Sequence, residues 1–391
     1  MNRKRVTYGL IGGTLCLAAW AATAMPHHTP AIPMNDPPTP VQRVAQQQVT
    51  VPKAPPRIEV VFALDTTGSM SGMLDGAKKK IWSVAQYIGN GQPKPELRIG
   101  LVAYRDRGDA YVTRFYDLTD DLDKVFDHLQ SFEADGGGDG PEDVNRALAD
   151  AIDKSSWTDG QNTLKMVYLV GDAPPHDDYH DAPDSKALAR RAQGRGIRIN
   201  AIRCGSDATT QLAFNRISQL ASGEFASIDQ GGGVETITTP YDDKLAALNA
   251  KLMGTAIGYG KSRDEVARKV ARSLAAPAAM NADRASYFAK SGGGAVGGMG
   301  DLVKDIAEGR VKAEDVAPSD LPAAIAAMSP PARSAYVSHK AREREEVSTE
   351  INTLADERNA YLKKSKPKAG SLDGAVEGTL RRQAAAAGLS L

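Results

Sequence analysis

The chain has 391 residues, of which 41% are hydrophobic, and it carries 48 basic and 48 acidic side chains for a formal charge of zero. That much apolar material excludes a wholly disordered polymer, and the length leaves room for about two or three domains. Balanced charge with only short basic runs excludes a nucleic-acid partner.

The first residues read as a secretory signal. Arg3, Lys4 and Arg5 precede an apolar run over 8–21, and Ala22-Thr23-Ala24 supplies small residues for cleavage after Ala24. Leu15 stands where a lipobox before Cys16 would need a small residue. The expected location is therefore periplasmic or secreted, with an uncleaved inner-membrane anchor as the second choice. Cleavage would leave no membrane span and Cys204 as the sole cysteine, so no intrachain disulfide could form. Cys204 closes the apolar run 197–204 and reads as a small buried residue. Residues 25–56, rich in Pro, Gln and Thr, read as a flexible linker.

From 57 to 253 strand-like and helix-like segments alternate. Strands are expected over 57–64, 97–104, 111–116 (a short edge strand), 164–170, 197–203 and 224–228. Helices are expected over 74–88, 121–132, 143–154, 185–193, 211–221 and 234–252. This rhythm predicts an α/β fold: a doubly wound, mostly parallel sheet flanked by helices. Beyond it, 254–290 reads as a helical extension and 291–300 as a glycine-rich linker. Residues 301–391 read as a helical, partly disordered C-terminal region.

Three loops stand out: DTTGS at 65–69, GGGDGPED at 136–143 and GDAPPHDD at 171–178. All follow or face strand ends, where ligands bind in open α/β sheets. In the first, Asp65, Thr67 and Ser69 alternate with Thr66 and Gly68, so an extended backbone points three oxygens at one spot. Oxygen-only ligands with neutral hydroxyls suit a hard divalent cation, Mg²⁺ first, with Ca²⁺ or Mn²⁺ as alternatives. Ordinary helix capping by Asp65 and Ser69 is the competing explanation.

Asp65-Thr66-Thr67-Gly68-Ser69 resembles the Asp-x-Ser/Thr-x-Ser loop of the von Willebrand factor A domain, where it forms the metal-ion-dependent adhesion site. GGGDGPEDVNRAL is similar to the second loop of integrin beta-subunit I-like domains, and YLVGDAPPH to the family's strand-Asp-Ala element. The resemblance covers 57–253. It implies that Glu142 binds the ion and that Asp172 completes the site directly or through water. Asp139 stands where such domains contribute to a neighbouring ion site. The acidic pair that I-like domains carry after the first loop is replaced here by Ser71, Gly72 and Met73. A carboxylate at Glu142, in place of the threonine of many relatives, should hold the metal firmly and make it less electrophilic.

In HDDYHD at 176–181 two histidines four apart suggest a zinc site, but Pro174, Pro175 and Pro183 argue for a solvated loop on the cleft rim. Arg105 and Asp106 read as a surface ion pair. In the charged helix expected over 333–364, Val347, Ile351, Leu354 and Tyr361 form one narrow seam that Arg344 and Arg358 interrupt, which weakens a coiled-coil reading. The tail is similar to those of other exported bacterial A-domain proteins.

The functional expectation is metal-dependent protein–protein binding, for adhesion or envelope assembly. In it, a partner's acidic side chain reaches a divalent ion held by Asp65, Thr67, Ser69 and Glu142. An envelope scaffold acting through its helical tail is the alternative. A metal-dependent hydrolase comes last, because its general base would have to be His176 or Asp177. No G-x-S-x-G element, Walker loop or H-E-x-x-H pair is present.

Overall fold

A computed structural model describes residues 55–391 apart from 139, 161, 180, 182, 234–236 and 365–369. The signal at 1–24, nearly all of the linker at 25–56, Asp139 and His180 lie outside the described residues.

Six strands build the sheet: β1 (Arg57–Asp65), β2 (Glu96–Tyr104), β3 (Thr113–Thr119), β4 (Thr163–Gly171), β5 (Ile197–Cys204) and β6 (Phe225–Ile228). Their order is β3-β2-β1-β4-β5-β6, parallel except for β3 at one edge. The central strands are near-continuous apolar runs because both of their faces are covered. Along β1, Val60, Phe62 and Leu64 enter one core while Val61 and Ala63 enter the other. Helices α1 (Ser71–Gly89) and α2 (Leu122–Gln130) cover the first face, and α3 (Val144–Ala149), α4 (Ser185–Gly194) and α5 (Ala208–Leu220) the second. The order reverses at β1, with β2 on one side and β4 on the other. The C-terminal ends of β1 and β4 therefore form the switch point where a ligand crevice belongs.

The chain departs from its sequence pattern after β6. Helix α6 (Asp242–Met253) starts at Asp242, not at 234. Pro240 disfavours helical backbone at Thr239, and the Asp242 carboxylate accepts from both the amide and the hydroxyl of Thr239 at 2.8 Å. Six further helices follow: α7 (Arg263–Ala275), α8 (Ala278–Lys290), α9 (Leu302–Ala307), α10 (Ala323–Ala326), α11 (Pro330–Leu362) and α12 (Leu372–Ala386).

Much of this region shares the first core with the sheet. Trp82 of α1 packs among Phe126, Tyr287 and Phe288. The α11 residues Val347, Ile351 and Leu354 are buried in the same cluster, as are Val376 and Leu380 of α12. Tyr361, expected in the seam, lies 40% exposed at its end. The arginines expected to interrupt the seam are buried within it, Arg344 against Asp301 and Arg358 against Asp242 and Asp283.

Residues 291–300, expected as an open linker, are packed. Ala295 and Val296 are fully buried, Arg284 donates to the Ala295 carbonyl at 2.8 Å, and the Gly297 amide donates to Asp123 at 2.9 Å. Helix α12 lies along β5 and β6, with Tyr168 donating to the Val376 carbonyl and Asn200 paired with Gln383. Among the described residues no helix is long and apolar enough to cross a membrane.

Candidate metal centre

Asp65 is the last residue of β1 and is fully buried. The amide and hydroxyl of Thr67 both donate to its Oδ1, at 2.9 and 2.7 Å, and Thr67 Oγ1 lies 3.3 Å from Ser69 Oγ. Thr66 points the other way, donating to the Tyr104 carbonyl at 2.9 Å and meeting the Tyr111 hydroxyl at 2.7 Å. The alternation read from DTTGS thus gathers three oxygens on one side. A short 3₁₀ turn (Gly68–Met70) precedes α1, and neither has a side-chain capping bond. Helix capping therefore does not account for Asp65 or Ser69.

The second and third loops are stitched together. The Glu142 amide donates to the Pro174 carbonyl at 3.0 Å, and the Glu142 carbonyl accepts from the His176 amide at 3.1 Å. This two-sided backbone pairing holds Glu142 buried while the first loop closes over it. Gly137, at φ +86°, sits between them: a Cβ there would lie 3.1 Å from Thr67 Cβ and 3.6 Å from Glu142 Oε1. Only glycine combines that backbone angle with that approach.

Asp172 follows β4. Its Oδ2 accepts from Gln230 Nε2 at 2.5 Å and its carbonyl from Thr210 Oγ1 at 3.0 Å. Gly171 lets β4 come close, since a Cβ would fall 2.3 Å from the Tyr104 hydroxyl and 3.2 Å from Asp65 Oδ2. The structure thus brings Asp65, Thr67, Ser69, Glu142 and Asp172 to one crevice. Asp139 lies outside the described residues.

Among the described residues, no Lys or Arg pairs with Asp65, Glu142 or Asp172. Burial pushes Asp65 up to about 7, with the Asp172 charge adding to it and the Thr67 bonds opposing it. Burial also pushes Glu142 up to about 9, reinforced by the charges of Asp65, Asp106, Asp109 and Asp172. Asp65 Oδ2 and Glu142 Oε2 are enclosed, and neither finds a hydrogen-bond donor among the described residues. Buried oxygens of this kind are costly unless something positive meets them. Among the described residues no three His, Cys, Asp or Glu side chains form a cage of their own. The donor set is instead two buried carboxylates with two hydroxyls and a third carboxylate behind, which fits a hard cation.

Sequence reasoning missed three residues. Arg105 and Asp106, read as a surface pair, are both buried. Arg105 donates to the carbonyls of Thr66 and Glu133, at 3.0 and 2.8 Å, and so clamps the first loop to the second. Asp106 accepts from the Tyr179 hydroxyl at 3.0 Å. Gln230 links Asp172 to the Ser69 carbonyl (3.4 Å). The glycine run following it, on the same sheet edge as the other loops, was the available signal. On the rim, His176 is stacked on Tyr179 with Nδ1 2.8 Å from Asp178. Asp177 accepts from Asn145 and Ser185. The described residues 176–179 are irregular, and His180, the other member of the zinc pair, lies outside the described residues.

The sequence profile of the von Willebrand factor A domain matches residues 59–239. An ariadne-like RING finger protein (R811) of Acanthamoeba polyphaga mimivirus is 27% identical over 119 residues, 30% of this chain and 11% of the relative. The alpha-protein kinase vwkA of Dictyostelium discoideum is 26% identical over 139 residues, 33% of this chain and 20% of the kinase. This chain therefore aligns with only a small part of either relative. Among solved structures, BatB of Bacteroides thetaiotaomicron is similar at 15% identity and a TM-score of 0.34, over 44% of this chain and 90% of that one. Residues 59–239 of this chain match the von Willebrand factor A domain, and within them the loops of Asp65–Ser69, Glu142 and Asp172 lie at one end of the sheet.

Proposed function

We propose that the crevice binds one divalent cation, Mg²⁺ first with Ca²⁺ or Mn²⁺ as alternatives, and captures a protein partner through it. A bound ion would supply a Lewis-acidic centre able to accept an acidic side chain from that partner. Asp65 and Glu142 would hold it with Thr67 and Ser69, and Asp172 would stand behind them, oriented by Gln230. The observation that carries this reading is the pair of enclosed oxygens, Asp65 Oδ2 and Glu142 Oε2, that lack donors among the described residues. Burial of unmatched carboxylates is stable only with a cation or a proton, and a cation, unlike a proton, can take a partner's carboxylate as a further ligand.

The role is adhesion or assembly rather than catalysis. His176 and Asp177, the bases a hydrolase would need, are engaged by neighbouring side chains. The tail-scaffold reading loses its binding face, because the α11 seam is buried against the domain. With residues 1–24 read as a secretory signal, this activity would lie in the periplasm or outside the cell. Calorimetric titration with Mg²⁺ and Mn²⁺ tests the site: uptake is expected for the native chain and not for Asp65→Ala. Partner retention from an envelope extract that survives both chelator and Asp65→Ala would overturn the proposal.

A further inference from the structure

On the cation reading, Asp65 and Glu142 hold one divalent ion with Asp172 behind them, and a partner's carboxylate would bring a fourth acidic group to the centre. The centre would then carry net negative charge, which resists ligation unless the partner brings compensating cations. The surroundings add to that demand. Asp106 and Asp109 act on Glu142 through their charge. On the surface beside them Asp135 and Asp178 have side chains 82% and 73% exposed.

The arginines nearby offset only part of this field. Arg105 is buried, committed to two backbone carbonyls and 3.8 Å from Asp135. Arg107 is shared between Asp143 and Asp181, at 3.1 and 2.7 Å. Arg114 lies over the Tyr111 ring.

Glycines on these loops point the same way. Gly138, Gly140 and Gly231 are exposed, and a Cβ on any of them would meet nothing within 4 Å. The protein interior therefore does not require glycine there. Their effect is outward, leaving bare backbone over which another chain can settle closely.

We propose that the partner segment carries one aspartate or glutamate flanked by lysine or arginine. The carboxylate enters the crevice toward the enclosed oxygens of Asp65 and Glu142, and the flanking cations meet Asp109, Asp135 and Asp178. This inference rests on the cation reading, and the test separates the two. Short labelled peptides with a central glutamate flanked by lysines or by alanines, and a lysine-flanked glutamine peptide, are titrated by anisotropy against the full chain in Mg²⁺. Cation uptake is measured on the same sample by calorimetry.

The lysine-flanked glutamate peptide should bind about tenfold tighter than the alanine-flanked one at low salt, with the advantage fading at high salt. Asp135→Asn combined with Asp178→Asn should shrink the preference and leave cation uptake unchanged. Equal binding of the two glutamate peptides, equal binding of the glutamine peptide, or no binding at all by a cation-loaded chain overturns the inference while the cation reading stands. A chain that takes up no cation overturns both.

Discussion

On the flank of the sheet, beneath α2, α6, α8 and α11, buried carboxylates meet cations of this same chain. Arg284 forks onto Asp123 at 2.9 and 2.8 Å, Lys269 reaches Asp121 at 2.6 Å, and Arg358 joins Asp242 and Asp283 at 2.7 and 2.6 Å. At the C-terminal edge of the sheet, Asp65 and Glu142 are as deeply enclosed and have no such partner among the described residues. The electrostatics follow the difference. Burial works against the Arg358 charge, but Asp283 and Asp242 raise its pKa above the ordinary value. Asp283 is itself pushed up by burial against the pull of Arg358. At the crevice burial outweighs the hydrogen bonds that the described residues make to Asp65, and both carboxyls rise. One cluster is complete as folded, and the other, on the proposed cation reading, would be completed from outside.

The largest effect should come from breaking the complete cluster. Arg358→Met leaves Asp242 and Asp283 buried beside each other without their cation, and should cost about 3–5 kcal/mol in urea unfolding. An equally deep substitution in the crevice should have the opposite sign. In metal-free protein at pH 8, Asp65→Asn removes an unmatched buried charge and should raise stability by about 2 kcal/mol. In Mg²⁺ the order inverts, because only the native chain gains from binding.

The same comparison fixes a pH dependence. Asp65 titrates near 3.8 when unfolded and at about 7 when folded, and Glu142 near 4.5 and at about 9. Between those values the folded state holds protons that the unfolded state has released, so metal-free stability should fall as pH rises from about 4 to about 9. Saturating Mg²⁺ should flatten the slope, and thermal melts across that range with and without chelator check it. A slope of the other sign would mean that the two carboxylates are matched after all.

The sheet was legible because its central strands are apolar runs that stop abruptly at polar loops, Asp65 after β1 and Asp172 after β4. The first loop was legible because alternation forces Asp65, Thr67 and Ser69 to one side. What the sequence concealed depends on contacts between distant segments. Arg358 reads as a flaw in an apolar seam until α6 and α8 bring Asp242 and Asp283 to it. Arg105 reads as a surface charge until two loops present their carbonyls. Gln230 carries no periodic signal, and its partner Asp172 arrives from another strand.

Gln230 therefore sharpens the comparison at smaller scale, as the neutral group standing where the flank would have an arginine. It orients Asp172 without cancelling its charge, so Gln230→Ala should weaken Mg²⁺ binding about tenfold while barely changing metal-free stability. Calorimetry beside a urea titration distinguishes that from a general loosening of the loop.

The smallest effect tests a carboxyl that belongs to neither cluster. Glu377 of α12 is pushed up to about 7, first by burial and then by Asp373, although Lys80 and Arg381 pull it down. Lys80 is already paired with Asp373 at 3.0 Å, so the nearer acid takes the cation and Glu377 is left undercompensated. Its folded state keeps a proton between about pH 4.5 and 7 that the unfolded chain gives up, so its contribution to stability is lost as pH rises through that window. Glu377→Gln should stabilise the protein at pH 8 by about 1 kcal/mol, with or without Mg²⁺, and should have little effect near pH 4. The indifference to Mg²⁺ is what matters: a half-buried acid on α12, outside the crevice, gains nothing from a divalent ion, so a Mg²⁺-dependent response at Glu377 would mean that the ion acts on the fold at large and not through Asp65 and Glu142.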